Sequence, residues 1–196
     1  MSRGPDKQFD PEIALAKAMH VFWARGYEAA SLSELLEAMG VGRKSLYDTF
    51  GNKRSLFLKA LEYYAQTVIK SMRDQLSAPG SAIANIEQVL QAMEKAHAMP
   101  ASQGCMLGTN MADFNSCDPE MGSVLRCYLK QLEDAYCKAL TRAQAVGEVS
   151  PSANPRDLAR MILCTTQGMA LMGRVVDDET QFRSVVKSVM ALLKEA

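Results

Sequence analysis

Apolar residues recur at three- and four-residue intervals along almost the whole chain, and alternating period-two runs are nearly absent, which predicts an all-α fold. The first helix starts at Asp10 as N-cap, with Pro11 and Glu12 in its first turn. Leu15, Ala18, Met19 and Phe22 line one face, and Gly26 supplies a stop. Ser31 and Glu34 form a capping box for a short second helix that ends at Gly40. A third runs from about Arg43 to Phe50, entered through Gly42. Asn52 caps a long fourth helix reaching toward Gln75, a connecting strut. Ser77-Ala-Pro-Gly-Ser81 then breaks the pattern and is the best single linker candidate.

Beyond that break the spacing predicts helices at about 82–97, 107–115, 118–145, 155–176 and 180–194, for about nine in all. Asp118-Pro119-Glu120 is a strong start, followed by Met121, Val124, Leu125, Tyr128, Leu132 and Ala139 on one face. The final helix has the cleanest stripe, with Phe182, Val185, Val186, Val189 and Leu193 at helical spacing. The helix at 155–176 is apolar over much of its circumference and carries Gly168 and Gly173, which permit close approach. A helix buried on several sides needs both a core and a partner, so 155–176 and 180–194 are expected to build a homodimer. The organisation is three short helices, a strut and a larger helical body.

The 196 residues carry no formal net charge, but four bases (Arg43, Lys44, Lys53, Arg54) stand against one acid, Asp48, over residues 39–54. A local basic patch on a neutral chain suits a sited phosphate contact better than diffuse nucleic-acid binding. No secretory signal precedes the five cysteines. The most apolar run, Met161 to Met172, is interrupted by Thr165, Thr166 and Gln167, so no membrane span is expected and the expected compartment is the cytoplasm.

Two short helices joined at Gly40-Val41 make a helix-turn-helix arrangement. Its second helix must enter a major groove roughly 12 Å wide, so the exposed face should be short, polar and basic near its N-terminus. Arg43, Lys44 and Ser45 occupy that first turn. Leu46 and Phe50 point back to the preceding helices, and Tyr47 lies outward with Lys44.

The stretch from Ser31 to Leu56 resembles the signature of the TetR family of one-component regulators: a hydroxyl at the first position, glycine-valine in the turn, then Y-x-x-F-x-x-K-x-x-L in Tyr47, Phe50, Lys53 and Leu56. Phe22-Trp-Ala-Arg-Gly-Tyr27 resembles the family's F-x-x-x-G-Y/F. Leu36 and Met39 stand where small residues are usual, and Gly42 where serine is frequent. The match covers roughly residues 10–60. The resemblance implies a helix-turn-helix DNA-binding head (1–52) and a helical ligand-binding and dimerisation body (53–196). It further implies phosphate contacts from Ser31, Tyr47 and Lys53, and base contacts from Arg43, Lys44 and Ser45. Arg3, in an Arg-Gly-Pro arm, would reach an adjacent minor groove.

Thirteen methionines, most of them after residue 90, fit a body that closes around an apolar or aromatic ligand, as the resemblance also implies. Met93, Cys105, Met106, Met111, Tyr128 and Met169 are the candidate ligand contacts. Cys105, after Gly104 and ahead of a helix, is expected to be the most reactive thiol. Cys127, Cys137 and Cys164 are expected to be buried and inert, and Cys117 to be opposed by the acids that follow it. Enzyme signatures and metal-binding cysteine spacing are missing, and His20 and His97 read as helix-surface residues. The reading is a non-enzymatic, ligand-responsive DNA-binding regulator, a repressor released from its operator by a small molecule or electrophile, with no cofactor. The alternative is a helical small-molecule-binding protein or thiol redox sensor or enzyme without DNA function.

Overall fold

Capping chemistry fixes where the helices begin. The structure, a computed structural model, describes residues 9–111, 113–114 and 118–195. The Asp10 carboxylate accepts from the backbone N–H of Glu12 at 2.8 Å and opens α1 (Pro11–Arg25). The Ser31–Glu34 capping box is complete and opens α2 (Leu32–Met39). Gly40 closes it in the left-handed conformation, where a side chain would be strained. Helix α3 (Arg43–Phe50) follows. Asn52 then accepts from the Ser55 N–H at 2.9 Å and starts α4.

Helix α4 comprises Lys53–Tyr64, a π-helical turn Ala65–Ile69, and Lys70–Leu76. The others are α5 (Ala82–Ala98), α6 (Met106–Met111), α7 (Pro119–Ala145), α8 (Pro155–Met172) and α9 (Glu179–Glu195), so the described residues hold nine helices and no strand. Two ends differ from expectation. Helix α6 stops at Met111 rather than running to 115. Helix α8 stops at Met172 rather than 176, because Gly173 presses on the end of α5; a Cβ there would lie 2.7 Å from the His97 carbonyl oxygen.

The first core is built on Phe22, Leu35, Leu46, Phe50, Leu56 and Phe57 from α1–α4, and continues without a seam into Met106, Leu107, Met121 and Leu125 of α6 and α7. Each such side chain, fully buried, contributes about 1.5–3 kcal/mol, which is what holds the otherwise polar α3 in place. A second core joins Leu76, Ile86, Leu90, Tyr136, Leu140, Ile162, Phe182 and Leu193 from the end of α4 and from α5, α7, α8 and α9. Ion pairs reinforce it: Arg156 of α8 meets Glu133 of α7 at 3.0 Å, and Arg183 of α9 meets Glu94 of α5 at 3.1 Å. Val186 and Val189 face inward within this core. Leu171, Met172 and Val175 at the end of α8 and Leu192 of α9 face outward.

Candidate functional site

The head presents α3 as a ridge. Leu46 and Phe50 are buried, so the opposite face must point away from the chain. Arg43, Lys44, Tyr47 and Asp48 are exposed there, with Tyr47 47% accessible despite its ring. Ser45 is half-buried at the edge of the face. Met39 fits in the head core and Leu36 packs at its margin, so neither large residue displaces the turn.

Ser31 lies at the exposed start of α2, but its hydroxyl is committed. It accepts from the Glu34 N–H at 3.2 Å and donates to the Glu34 carboxylate at 2.9 Å. The Ser31 backbone N–H, then the Arg25 guanidinium, hold that carboxyl down at about 2. A phosphate brought to this end would therefore meet the first free backbone N–H groups of α2 rather than a free hydroxyl. Lys53 is half-buried: its ammonium sits 4.6 Å from the centre of the Tyr27 ring and donates to the Glu28 carbonyl at 3.4 Å. Arg3 lies outside the described residues.

Body residues grip the loop between α1 and α2. The Tyr27 N–H donates to Asn110 Oδ1 at 2.7 Å and to Asp113 Oδ2 at 2.9 Å, and the Glu28 N–H donates to Asp113 at 3.2 Å. Arg54, in the first turn of α4, chelates Asp118 and reaches Glu120 at 2.8 Å. This pair holds the Asp118 carboxyl down at about 2, with the Met121 N–H helping.

Between α1, α4, α5, α7 and α8 lies a cavity of about 760 Å³. Exposed His20, Ser71, Gln88, Ala92 and Ala96 stand at its mouth, and Leu132, Tyr136, Thr166 and Gln167 lie deep. The single tryptophan, Trp23 of α1, forms part of the wall, and so do Gly104 and Cys105. Met93 and Cys105 line this space, as does Met72. Met106 and Met169 are instead packed in the two cores, Met111 is exposed away from the cavity, and Tyr128 borders a separate polar groove between α4 and α7. His97, expected on the surface, is buried against the cavity, and burial pushes its pKa down; His20 is exposed and stacks on Trp23 at 6.0 Å.

The cysteines also depart from expectation. Cys105 is half-buried, its sulfur accepting from the Tyr64 hydroxyl at 3.7 Å, and the helix that follows has only six residues, too short for a strong dipole. Cys127 and Cys164 are exposed rather than buried, and Cys137 is half-buried, since each falls on or near the outer face of its amphipathic helix. Cys117 lies outside the described residues.

Sequence periodicity missed Arg174. Its guanidinium, beyond the end of α8, donates to the Ala24 carbonyl at 2.9 Å, the Gln103 carbonyl at 3.1 Å and the Thr109 hydroxyl at 3.0 Å. It thereby ties the last turn of α1 to the cavity wall. No helix of the described residues is long and apolar enough to cross a membrane.

Known proteins share both halves of this arrangement. The family model for bacterial regulatory proteins of the tetR family matches residues 14–60, and that for the tetracyclin repressor-like C-terminal domain matches residues 82–189. The chain is 32% identical over 192 residues to the HTH-type transcriptional regulator YezE of Bacillus subtilis, covering 97% of this chain and 99% of that protein. It is 32% identical over 177 residues to the HTH-type transcriptional repressor ComR of Escherichia coli, covering 88% and 83%. A cysteine mutant of the TetR family regulator CifR, solved on a 26 bp double-strand operator DNA, superposes with a TM-score of 0.88 at 25% identity, covering 97% of this chain and all of that one. With a helix-turn-helix head, a helical body and matches to both family models, this chain belongs to the TetR family of DNA-binding bacterial transcriptional regulators.

Proposed function

We propose that this chain is a cytoplasmic, homodimeric repressor that leaves its operator when a small molecule enters the body, and that it acts by binding rather than by catalysis. The observation that carries this reading is Trp23: a helix of the head supplies a wall of the body's cavity. Residues 1–52 serve as the DNA-binding head and 53–196 as the ligand-binding and dimerisation body. Arg43, Lys44 and Ser45 face base edges. Tyr47, Lys53 and the α2 N-terminus at Ser31 hold phosphates. Repression is supported by the likeness to the repressor ComR and to CifR on operator DNA.

The exposed apolar surface of Leu171 and Met172 on α8, Val175 in the turn just after it, and Leu192 on α9 supports a two-fold pairing of these helices. Two heads must then match half-sites about one DNA turn, roughly 34–36 Å, apart. A ligand that pushes on Trp23 and on α4 changes that spacing and releases the DNA. A gel shift against fragments of the DNA upstream of the protein's own coding sequence tests the reading. A retarded complex that weakens with added salt is expected; no retardation on any fragment overturns it.

A further inference from the structure

The cavity carries three buried polar atoms that find no hydrogen-bond partner among the described residues: His97 Nε2, Tyr136 Oη and Gln167 Oε1. All three belong to residues of the cavity lining, from α5, α7 and α8. A buried polar group without a partner costs about 1–3 kcal/mol, and three converging on one space need a common explanation. The same lining contains no Lys, Arg, Asp or Glu.

The polarity of each atom can be worked out. Ser102 Oγ accepts from the Gly104 N–H at 3.3 Å, which leaves its own proton to donate to His97 Nδ1 at 3.5 Å. The imidazole, held neutral by burial, then carries its proton on Nε2. Tyr136 is fully buried, burial pushes its pKa up, and Thr166 beside it turns its hydroxyl to the Leu163 carbonyl at 2.9 Å. The phenol therefore keeps its proton as a donor. Gln167 Oε1 is an acceptor. The rest of the lining is uncharged and largely apolar, built on Trp23, Val68, Ile69, Met72, Val89, Met93 and Leu132, with Ser71 and Gln88 at the mouth.

From this we infer that the cavity takes an uncharged, largely apolar molecule bearing a carbonyl or hydroxyl oxygen, which accepts from Tyr136 and His97, and that Gln167 receives any donor the molecule carries. The inference rests on the proposed ligand response and names its chemical class. A carboxylate or an ammonium would lose its hydration here with no opposite charge to meet it, so both are rejected. A pure hydrocarbon fits the walls but leaves the three polar atoms unmet. Discrimination by such atoms is strong because the wrong ligand strands them.

Three probes of matched shape separate these cases: benzylacetone (a ketone), hydrocinnamate (the corresponding carboxylate) and isopentylbenzene (the hydrocarbon). Trp23, as the single tryptophan and part of the wall, reports binding by its fluorescence. Benzylacetone is expected to bind at least about tenfold more tightly than hydrocinnamate and about fivefold more tightly than isopentylbenzene. Tyr136→Phe should shrink the ketone's advantage over the hydrocarbon, leaving what His97 supplies, and leave the hydrocarbon unchanged. The wild-type ranking alone decides the matter if that variant does not fold. Hydrocinnamate binding as well as the ketone, a ketone with no advantage over the hydrocarbon, or no binding by any probe overturns the inference. Gel shifts on the same protein keep the two readings apart. Retarded DNA with no probe selectivity sinks only the ligand class, whereas probe selectivity with no retarded DNA sinks the regulator reading and leaves the cavity assignment.

Discussion

The indole N–H of Trp23 donates to the carbonyl oxygen of Gly104 at 2.9 Å, so a head helix and the wall of the body's cavity share a hydrogen bond. Gly104 can sit there only as glycine. Its φ is +69°, and a Cβ would collide with the Ala170 carbonyl of α8.

Arg174 locks the same junction from the other side, and Arg174→Met keeps the aliphatic stem while removing every donor. Ala24, Gln103 and Thr109 then lose a charged partner in a half-buried place. The expected loss is about 1.5–3 kcal/mol, read as a lower urea midpoint at unchanged slope. An unchanged midpoint would show that the junction is held by its other contacts, those of Trp23, Tyr27 and Arg54, without Arg174.

On DNA, Lys53→Ala should weaken binding to every sequence and reduce the salt slope by about one unit. Arg43→Ala and Lys44→Ala should also change sequence preference, by about 1–3 kcal/mol where a bidentate base contact is lost. Equal losses on cognate and random DNA would move Arg43 and Lys44 to the phosphate class. Because Lys53 also rests on Tyr27 within the head, its variant is checked for an unchanged melting temperature first.

For the dimer, the informative positions are Leu171 and Leu192, 61% and 51% exposed, rather than Val186 and Val189, which are core residues of the chain itself. Leu171→Glu with Leu192→Glu should yield a folded monomer by light scattering. Val186→Glu should unfold the body, since a buried unpaired charge is strongly destabilising. A double variant that stays dimeric would place the interface elsewhere.

The Arg54–Asp118 pair gives a signed pH dependence. The folded Asp118 pKa is depressed to about 2 from an ordinary 3.8, so its contribution is present above about pH 4 and is lost as pH falls toward 2. Asp118→Asn should lower stability at neutral pH and flatten the acid limb of a stability-against-pH curve. An acid limb identical to wild type would mean that other carboxylates dominate it.

Thiol labelling should follow access. A bulky, charged maleimide should mark exposed Cys127 and leave Cys105 untouched, while a small neutral maleimide should reach Cys105 through the cavity mouth. Saturating the cavity with benzylacetone should then slow only the Cys105 reaction. Protection of Cys127 instead would show that the probe acts outside the cavity.

What was legible in the sequence was local. Asp10, Ser31 with Glu34, and Asn52 act on N–H groups two or three residues away, so each start signal could be read without knowing the fold. The exposed basic edge of α3 followed from Leu46 and Phe50 in the same way. The cavity did not, because His97, Tyr136 and Gln167 converge from three helices with no shared spacing. Gln167 did leave a trace as a polar residue inside the apolar run from Met161 to Met172, which reads as an interruption until its partners are known. The methionines misled for a physical reason: a flexible apolar side chain fills a core as readily as it lines a pocket. Met106 and Met169 do the former and Met93 the latter. Arg174 left no trace, since all but one of its acceptors are backbone carbonyls that any sequence would supply.

The π-helical turn at Ala65–Ile69 gives α4 a built-in slack. Head and cavity are joined by a helix that holds one surplus residue halfway along, between Asn52 at the DNA side and Ser71 at the cavity mouth. Drawing that residue into ordinary α-helix turns everything beyond it by about 100° about the axis. A rotation of that full size would pull Leu76 out of the second core and break the bonds from Arg73 to Gln131 and from Gln75 to Gln88, so only part of it is open to the folded chain. The strut is thus built more like a threaded coupling than a rod: Val68 and Ile69, which line the cavity, lie on the stretch of α4 that leaves the α-helical ladder, where a sideways push would be turned into twist at the least cost.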